Sequence, residues 1–289
     1  VVAELGGDRI GFYRQPENVG FIRNFETCLK RARGRLVHLL HGDDYVRQGF
    51  YARLQRAFEE HPDVGAAFCR HIYMDERGHW QSLSPLERSE RGILEDWLPK
   101  IAAGQRLATP SVVVRRAVYE ALGGFDRRMS CAGEDWEMWV RIAAHYPVWF
   151  EPEPLAAYRM KRPGALTERD GRTNRLVRDM RLATDILASY LPDHLPERQA
   201  HAVLARARRT YARWALEAAE RMLAEGNPAA AAAQARLALR CSRSPAILRS
   251  TLRLFAGEAA RRTGRKARSV AAALAKRAVA SLTPDNTRP

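Results

Sequence analysis

The feature that most constrains this chain is a change in hydrophobic period near residue 170. Before it, short apolar runs alternate with helix-period segments. After it, only the helix period remains. Phe21, Phe25, Cys28 and Leu29 recur at helical spacing and predict a helix over Phe21–Arg33. The apolar run Leu36–Leu40 predicts a buried strand, and Gln48–Glu60 a helix stopped at Pro62. Further strands are expected at Asp8–Arg14, Val64–Met74, Ser111–Val114, Val148–Phe150 and Leu155–Arg159. Helices are expected at Arg116–Leu122 and at Glu134–Tyr146, the latter carrying Trp136, Trp139, Val140 and Ala143. Such alternation implies an α/β sandwich with a mostly parallel sheet. From Thr173 onward Pro192, Pro196, Gly226–Pro228 and Pro245 punctuate helical segments only, so an all-α tail is expected. Gly226, Ala231 and Ala238 fit either a tetratricopeptide-like hairpin or any Ala-rich helical hairpin.

Charge narrows the partners. The chain of 289 residues carries a net +15, almost all of it from Arg. Residues 246–289 hold ten Lys/Arg against two Asp/Glu, so over half of the excess sits in a short tail. Val270, Leu274, Ala278 and Leu282 recur every four residues there, among Arg268, Lys276 and Arg277. That pattern reads as a cationic amphipathic helix for an anionic membrane surface, or as a disordered Arg-rich end. A nucleic-acid partner is not expected, because no helix-turn-helix, RNP or Cys/His signature accompanies the charge. The four cysteines form no CxxC pair, and no apolar run approaches the ~18 residues of a membrane span. A cytoplasmic location is therefore expected.

Three segments carry candidate chemistry. His41-Gly-Asp-Asp44 closes the Leu36–Leu40 strand, where open α/β sheets bind ligands. Adjacent carboxylates there suit Mg²⁺ or Mn²⁺ with phosphate oxygens, although a solvated turn with an acidic helix cap would read the same way. Gly133-Glu-Asp-Trp-Glu-Met-Trp139 opens a helix after a glycine turn, so Asp135 reads either as a general base or as ordinary first-turn acid. Tyr158-Arg-Met-Lys-Arg-Pro-Gly164 ends a strand with Arg159, Lys161 and Arg162, which suit a phosphate or form a basic surface loop.

Together these segments resemble family 2 glycosyltransferases of the GT-A fold. Asn18–Asp44 resembles the block that leads into that family's acidic metal motif. Thr109–Asp126 resembles its acceptor-side segment, and Gly133–Ala143 the segment with its catalytic base. The order and spacing agree over about Arg9–Thr167. The resemblance implies inverting, hexosyltransferase-type transfer of a sugar from a nucleotide-diphosphate sugar to an acceptor hydroxyl. It implies Asp44 as metal ligand, with Asp43 near the donor ribose or the metal. Asp135 becomes the base, with Glu134 and Trp136 on the acceptor side. Arg159 and Lys161 fall at the donor diphosphate. A divalent cation, Mn²⁺ or Mg²⁺, is the implied cofactor, and a glycan or lipid-linked molecule the implied acceptor. Bacterial surface-polysaccharide assembly at the inner face of the plasma membrane is the implied setting.

Two positions depart from the family pattern: His41 stands where many members carry a further Asp, and Lys161 where a His is frequent. The chain also begins at what resembles the end of the family's second helix. It thus reads as a GT-A domain lacking its first strands, and the alternative is an inactive relic acting as a helical protein-interaction module. Residues 1–170 are expected to form the glycosyltransferase domain, 171–264 the helical region and 265–289 the basic tail.

Overall fold

The computed structural model describes residue 4 and residues 6–160 and 175–257. Lys161 and the 265–289 tail lie outside the described residues. The chain divides into two compact units at Ala207/Arg208.

The first unit orders its elements as α1 (Phe21–Arg31), β1 (Leu36–His38), β2 (Tyr45–Val46), α2 (Phe50–Glu60), β3 (Ala66–Met74), β4 (Trp80–Leu83) and β5 (Gly92–Ile93). Then come α3 (Trp97–Ala102), β6 (Val112–Arg115), α4 (Arg116–Leu122), α5 (Glu134–His145), β7 (Val148–Arg159) and α6 (Arg175–Tyr190). The expected α/β alternation holds from Phe21 onward. The expected strand at Asp8–Arg14 does not form. Gly7–Arg9 is a 3₁₀ turn, and Ile10, Phe12 and Tyr13 stay exposed with no ladder partner among the described residues.

One sheet collects the seven strands in the order β1-β6-β3-β7-β2, with β4 added to β3 and β5 to β7. The expectation of a mostly parallel sheet is corrected: only β3 and β7 pair in parallel, and the other five pairings are antiparallel. The reason is an insertion. β1, α2 and β3 form a strand–helix–strand unit whose strands run the same way, but β6 lies between them, antiparallel to both. Period alone reports strand direction poorly and adjacency not at all.

β7 spans twelve residues where the sequence suggests two short strands. Pro152 and Pro154 interrupt the apolar pattern, and the register against β3 shifts between Cys69 and His71 at that point. A proline lacks the ladder N–H, so it is tolerated at such an irregularity.

Side chains alternate across β3 and build two cores. Ala67 and Cys69 face α2 and pack with Phe50, Leu54, Ala57 and Phe58. Phe68 points the other way, its ring 5.0 Å from Trp97 and 5.1 Å from Phe150. Beneath that layer the Trp136 indole N–H donates to the Ile101 carbonyl at 2.7 Å, joining α5 to α3. The second unit is helical, with the C-terminal part of α7 (Glu197–Ala224), α8 (Pro228–Cys241) and helical residues 245–257. Gly226, at φ 79°, makes the turn between α7 and α8. Its N–H and that of Asn227 return to the carbonyls of Leu223 and Met222, and the Asn227 side chain caps α8 at the Ala230 N–H.

α2 carries no cation in its own last turn. Arg115, the last residue of β6, supplies one, donating to the Val64, Phe58 and His61 carbonyls at 2.7, 2.9 and 3.2 Å. Of these, the Phe58 carbonyl lies in the last turn of α2, where helical partners run out, and the His61 carbonyl also accepts the Val64 N–H at 3.2 Å. Replacing Arg115 with Met keeps the aliphatic stem and removes the donors. It should cost about 2 kcal/mol of unfolding free energy, read from urea melts; an unchanged midpoint would mean water serves those carbonyls equally well.

Candidate functional site

The acidic loop follows β1 directly, since the three-residue strand ends at His38 and leaves Leu39–Asp44 to turn toward β2. His41, Asp43 and Asp44 each offer a ligand atom, all within 4.8 Å of one another. The Asp44 carboxylate is buried at 1% side-chain exposure, and its Oδ2 lies 3.5 Å from His41 Nδ1. Oδ2 itself and His41 Nε2 are buried without a hydrogen-bond partner. A buried carboxylate oxygen and imidazole nitrogen left unserved are costly unless something polar joins them.

Arg159, the last residue of β7, holds this loop. Its backbone N–H donates to Asp44 Oδ1 at 2.8 Å, and its Nε–H to the Asp43 carbonyl at 2.9 Å. Its Nη1 donates to the Glu76 carbonyl at 2.8 Å and lies 3.4 Å from that of Asp75, in the turn after β3. The guanidinium is thus occupied by backbone carbonyls of two loops. This geometry gives Arg159 a positioning job next to the expected donor side.

The second group stands at the start of α5. Gly133, at φ 87°, ends the preceding loop, and Glu134 and Asp135 occupy the first turn. Asp135 Oδ1 accepts from the Trp136 N–H at 2.7 Å. Asp135 Oδ2 accepts from Gln105 Nε2 at 2.9 Å and from the Thr109 hydroxyl at 3.3 Å. Burial raises the Asp135 pKa above the ordinary carboxylate range, and these hydrogen bonds and the His41 charge oppose that rise without cancelling it. Glu134 is likewise raised, by burial first and then by the charge of Asp135, and its Oε2 has no partner.

The two acidic groups act on common neighbours. Burial lowers His41, yet the hydrogen bond and charge of Asp44, with the charges of Asp135 and Asp43, lift it above 6.5 overall. The Tyr158 phenol is pushed up to about 12 by burial and then by Asp135, Asp44 and Asp43. The structure therefore brings Asp43, Asp44, Asp135, Glu134 and Arg159 into one region. Trp136 is corrected: its side chain is fully buried and its indole N–H is held by Ile101, so it belongs to the core and not to an acceptor surface. The helical period explains this, because Trp136 and Trp139 line the inward stripe of α5.

Sequence reading missed several contributors. Gln105 sits in an irregular loop with no motif around it. Thr109 opens the segment that resembles the family's acceptor side, but it was given no role of its own, and its hydroxyl is what meets Asp135. His38 donates from Nε2 to the Pro110 carbonyl at 3.0 Å and accepts the Tyr51 hydroxyl on Nδ1 at 3.2 Å, partners that fix its tautomer. Phe25 of α1 stacks on His41 at 5.4 Å and 5°. An aromatic four residues after Phe21 was legible as a helix stripe, but not as a wall of the acidic loop.

No helix among the described residues is long and apolar enough to cross a membrane. Comparison with known proteins gives a consistent result. A Mycobacterium tuberculosis protein of uncharacterized function, MT1568, is 31% identical over 173 residues, covering 53% of this chain and 50% of its own length. The chain thus spans about half the length of the curated relative it matches. The structure of Staphylococcus aureus TarS residues 1–349 has a TM-score of 0.51 at 14% identity, over 68% of this chain and 52% of that one, a likeness of fold. A Pyrobaculum calidifontis mannosyltransferase, PcManGT, solved with GDP-Man and Mn²⁺, has a TM-score of 0.44 at 17% identity, over 86% of this chain and 62% of that one. The model of the glycosyltransferase-like family 2 matches residues 1–177, more than half of the chain. The protein belongs to that family.

Proposed function

We propose that this chain transfers a sugar from a nucleoside-diphosphate sugar to an acceptor hydroxyl, with inversion at the anomeric carbon. One observation carries the reading: His41, Asp43 and Asp44 each present a ligand atom within 4.8 Å of the others in the loop after β1, and the Asp135 charge also bears on His41. Such a transfer needs a cation-holding end for the diphosphate and a basic end for the hydroxyl, close together.

The residues fit a divalent cation. Two carboxylates and an imidazole within 4.8 Å suit Mg²⁺ or Mn²⁺, the nitrogen favouring Mn²⁺, and the buried His41 Nε2 has no hydrogen-bond partner. Asp44, Asp43 and His41 would hold the ion, which when bound supplies positive charge against the leaving diphosphate. The chain's own groups do the rest. Arg159 fixes the loop that presents Asp44. Gln105 and Thr109 hold Asp135 Oδ2 in place. Burial increases the proton affinity of Asp135, so its carboxylate can take the acceptor proton as the hydroxyl attacks. Glu134 is assigned to the acceptor side, and Lys161, outside the described residues, to the diphosphate. A glycan or lipid-linked acceptor in bacterial surface-glycan assembly, met by the enzyme from the cytoplasmic side of the membrane, completes the proposal.

Calorimetric titration of Mn²⁺, with and without UDP or GDP, tests the cation site. Asp44→Ala should lower nucleotide-dependent Mn²⁺ affinity by more than the roughly 10–100-fold of an outer-shell change. An unchanged affinity would remove Asp44 from the assignment. Asp135→Asn should lower turnover by about 10²–10⁴-fold and leave donor affinity unchanged, because the amide cannot accept the proton. Equal losses in turnover and donor affinity would make Asp135 structural. In the wild type, activity should fall as pH drops through the raised Asp135 pKa, since the base must be ionised to act. The acid limb of kcat/KM should therefore lie above the ordinary Asp value of about 3.9. A limb at the ordinary value would argue that the base is another, solvated group.

A further inference from the structure

Three carboxylates, Glu134 and Asp135 at the start of α5 and Asp179 on α6, are served very unequally. Asp179 of α6 is buried at 7% exposure. Its Oδ2 accepts the Ser130 N–H at 2.7 Å, the Ser130 hydroxyl at 3.1 Å and the Cys131 N–H at 2.7 Å. Asp135 also accepts three hydrogen bonds. Glu134, the neighbour of Asp135 in the first turn of α5, is buried at 8% exposure with Oε2 unserved. Donors to a carboxylate favour its ionised form, whereas burial without donors favours the protonated one.

α6 also fixes the loop that delivers the turn. A Cβ on Gly133 would lie 3.2 Å from Met180 Sδ and 3.3 Å from Ala183 Cβ, so α6 packs closely on the residue just before Glu134. Asp179 binds the same loop at Ser130 and Cys131.

We propose that Asp179 is a positioning residue for the proposed catalytic turn: it clamps the Ser130–Cys131 segment, and of the three carboxylates Glu134, the one left with an unserved buried oxygen, is the member that carries the proton. Glu134 is then a neutral hydrogen-bond donor beside an ionised Asp135, and the two adjacent acids of the motif have opposite roles. The importance of the turn rests on the glycosyltransferase reading above, but the protonation pattern does not.

The charged groups around Glu134 agree. Asp135 and Asp179 both raise its proton affinity, after burial itself. On the preceding loop Arg127 pairs with Glu26 and Arg128 with Asp126. Further along α5, Arg141 pairs with Glu137. On α6, Arg181 lies 3.7 Å from Asp185, and Arg175 and Arg178 are exposed. Lys100, the charged residue of α3, is exposed, and His41 acts on Asp135.

The test uses the full chain and needs no transfer activity, so its failure is separable from failure of the glycosyltransferase reading. The ¹³C carboxyl signal that disappears in Glu134→Gln identifies Glu134 by NMR. Its midpoint should lie well above the ordinary Glu value of about 4.3 in the wild type, and should fall by about one pH unit in Asp179→Asn. An ordinary midpoint in the wild type, or one unmoved in Asp179→Asn, overturns the proposal. A clamp without the charge role would not move it. Urea melts give a second readout. A carboxyl whose folded pKa is raised contributes stability below its unfolded pKa and loses it as pH rises through the folded one. The wild-type midpoint should therefore fall relative to Glu134→Gln between roughly pH 5 and 8. If Asp179→Asn does not fold, this pair decides alone: diverging midpoints support the proposal and parallel ones overturn it.

Discussion

The arrangement of the site depends on one residue at the end of one strand. Arg159 closes β7, and its backbone and side chain together bind Asp44, the Asp43 carbonyl and the turn after β3. A loop of adjacent acids tends to spread, because its charges repel and its backbone is short of partners. Arg159 opposes both tendencies with directed N–H donors. β7 can place it there because it runs parallel to β3 for nearly its whole length, through the irregularity at Pro154. The one parallel pairing in the sheet is thus also the one that sets the acidic loop.

Burial then divides the labour among the acids. Asp44, Glu134 and Asp179 have nearly inaccessible side chains and Asp135 is half-buried, yet they differ in the donors they receive. Asp44 takes one N–H on Oδ1, and its Oδ2 has only the His41 ring at 3.5 Å, an oxygen suited to a cation. Asp135 is held by one backbone and two neutral side-chain donors, which orient it without pairing its charge to an Arg or Lys. The same residue type thus has different proton affinity according to who donates to it, which is how one fold separates acid from base chemistry.

Much of this was legible in the sequence. Phe21–Arg31, Arg116–Leu122 and Glu134–His145 follow from apolar period and flanking glycines, and their bounds lie close to expectation. His41–Asp44 and Glu134–Asp135 stood out because adjacent acids beside strand and helix ends are chemically unusual. Three things were hidden. The insertion of β6 between β1 and β3 leaves no mark on local period, since strand order is a long-range property. The role of Arg159 depends on carbonyls at Asp43, Asp75 and Glu76, and carbonyls are present at every residue. Trp136 was misplaced because an aromatic next to a catalytic-type acid suggests a ligand surface, whereas its position in the helical turn sends it inward.

The span of the Arg159 contacts has a consequence for how the protein comes into being. Asp44 and Arg159 are 115 residues apart in the chain, and the Glu76 contact spans 83. A ribosome adds residues at roughly 5–20 per second, so the acidic loop waits several seconds or more for the arginine that shapes it. During that interval β3 lacks its parallel partner and exposes a strand edge. The nascent chain therefore carries its acids without their geometry, and the site assembles only when β7 docks. Non-local pairings of this kind close late and slowly. Mutations that delay β7, such as changes around Pro152 and Pro154, would act on the yield of assembled sites during synthesis before they act on the finished protein.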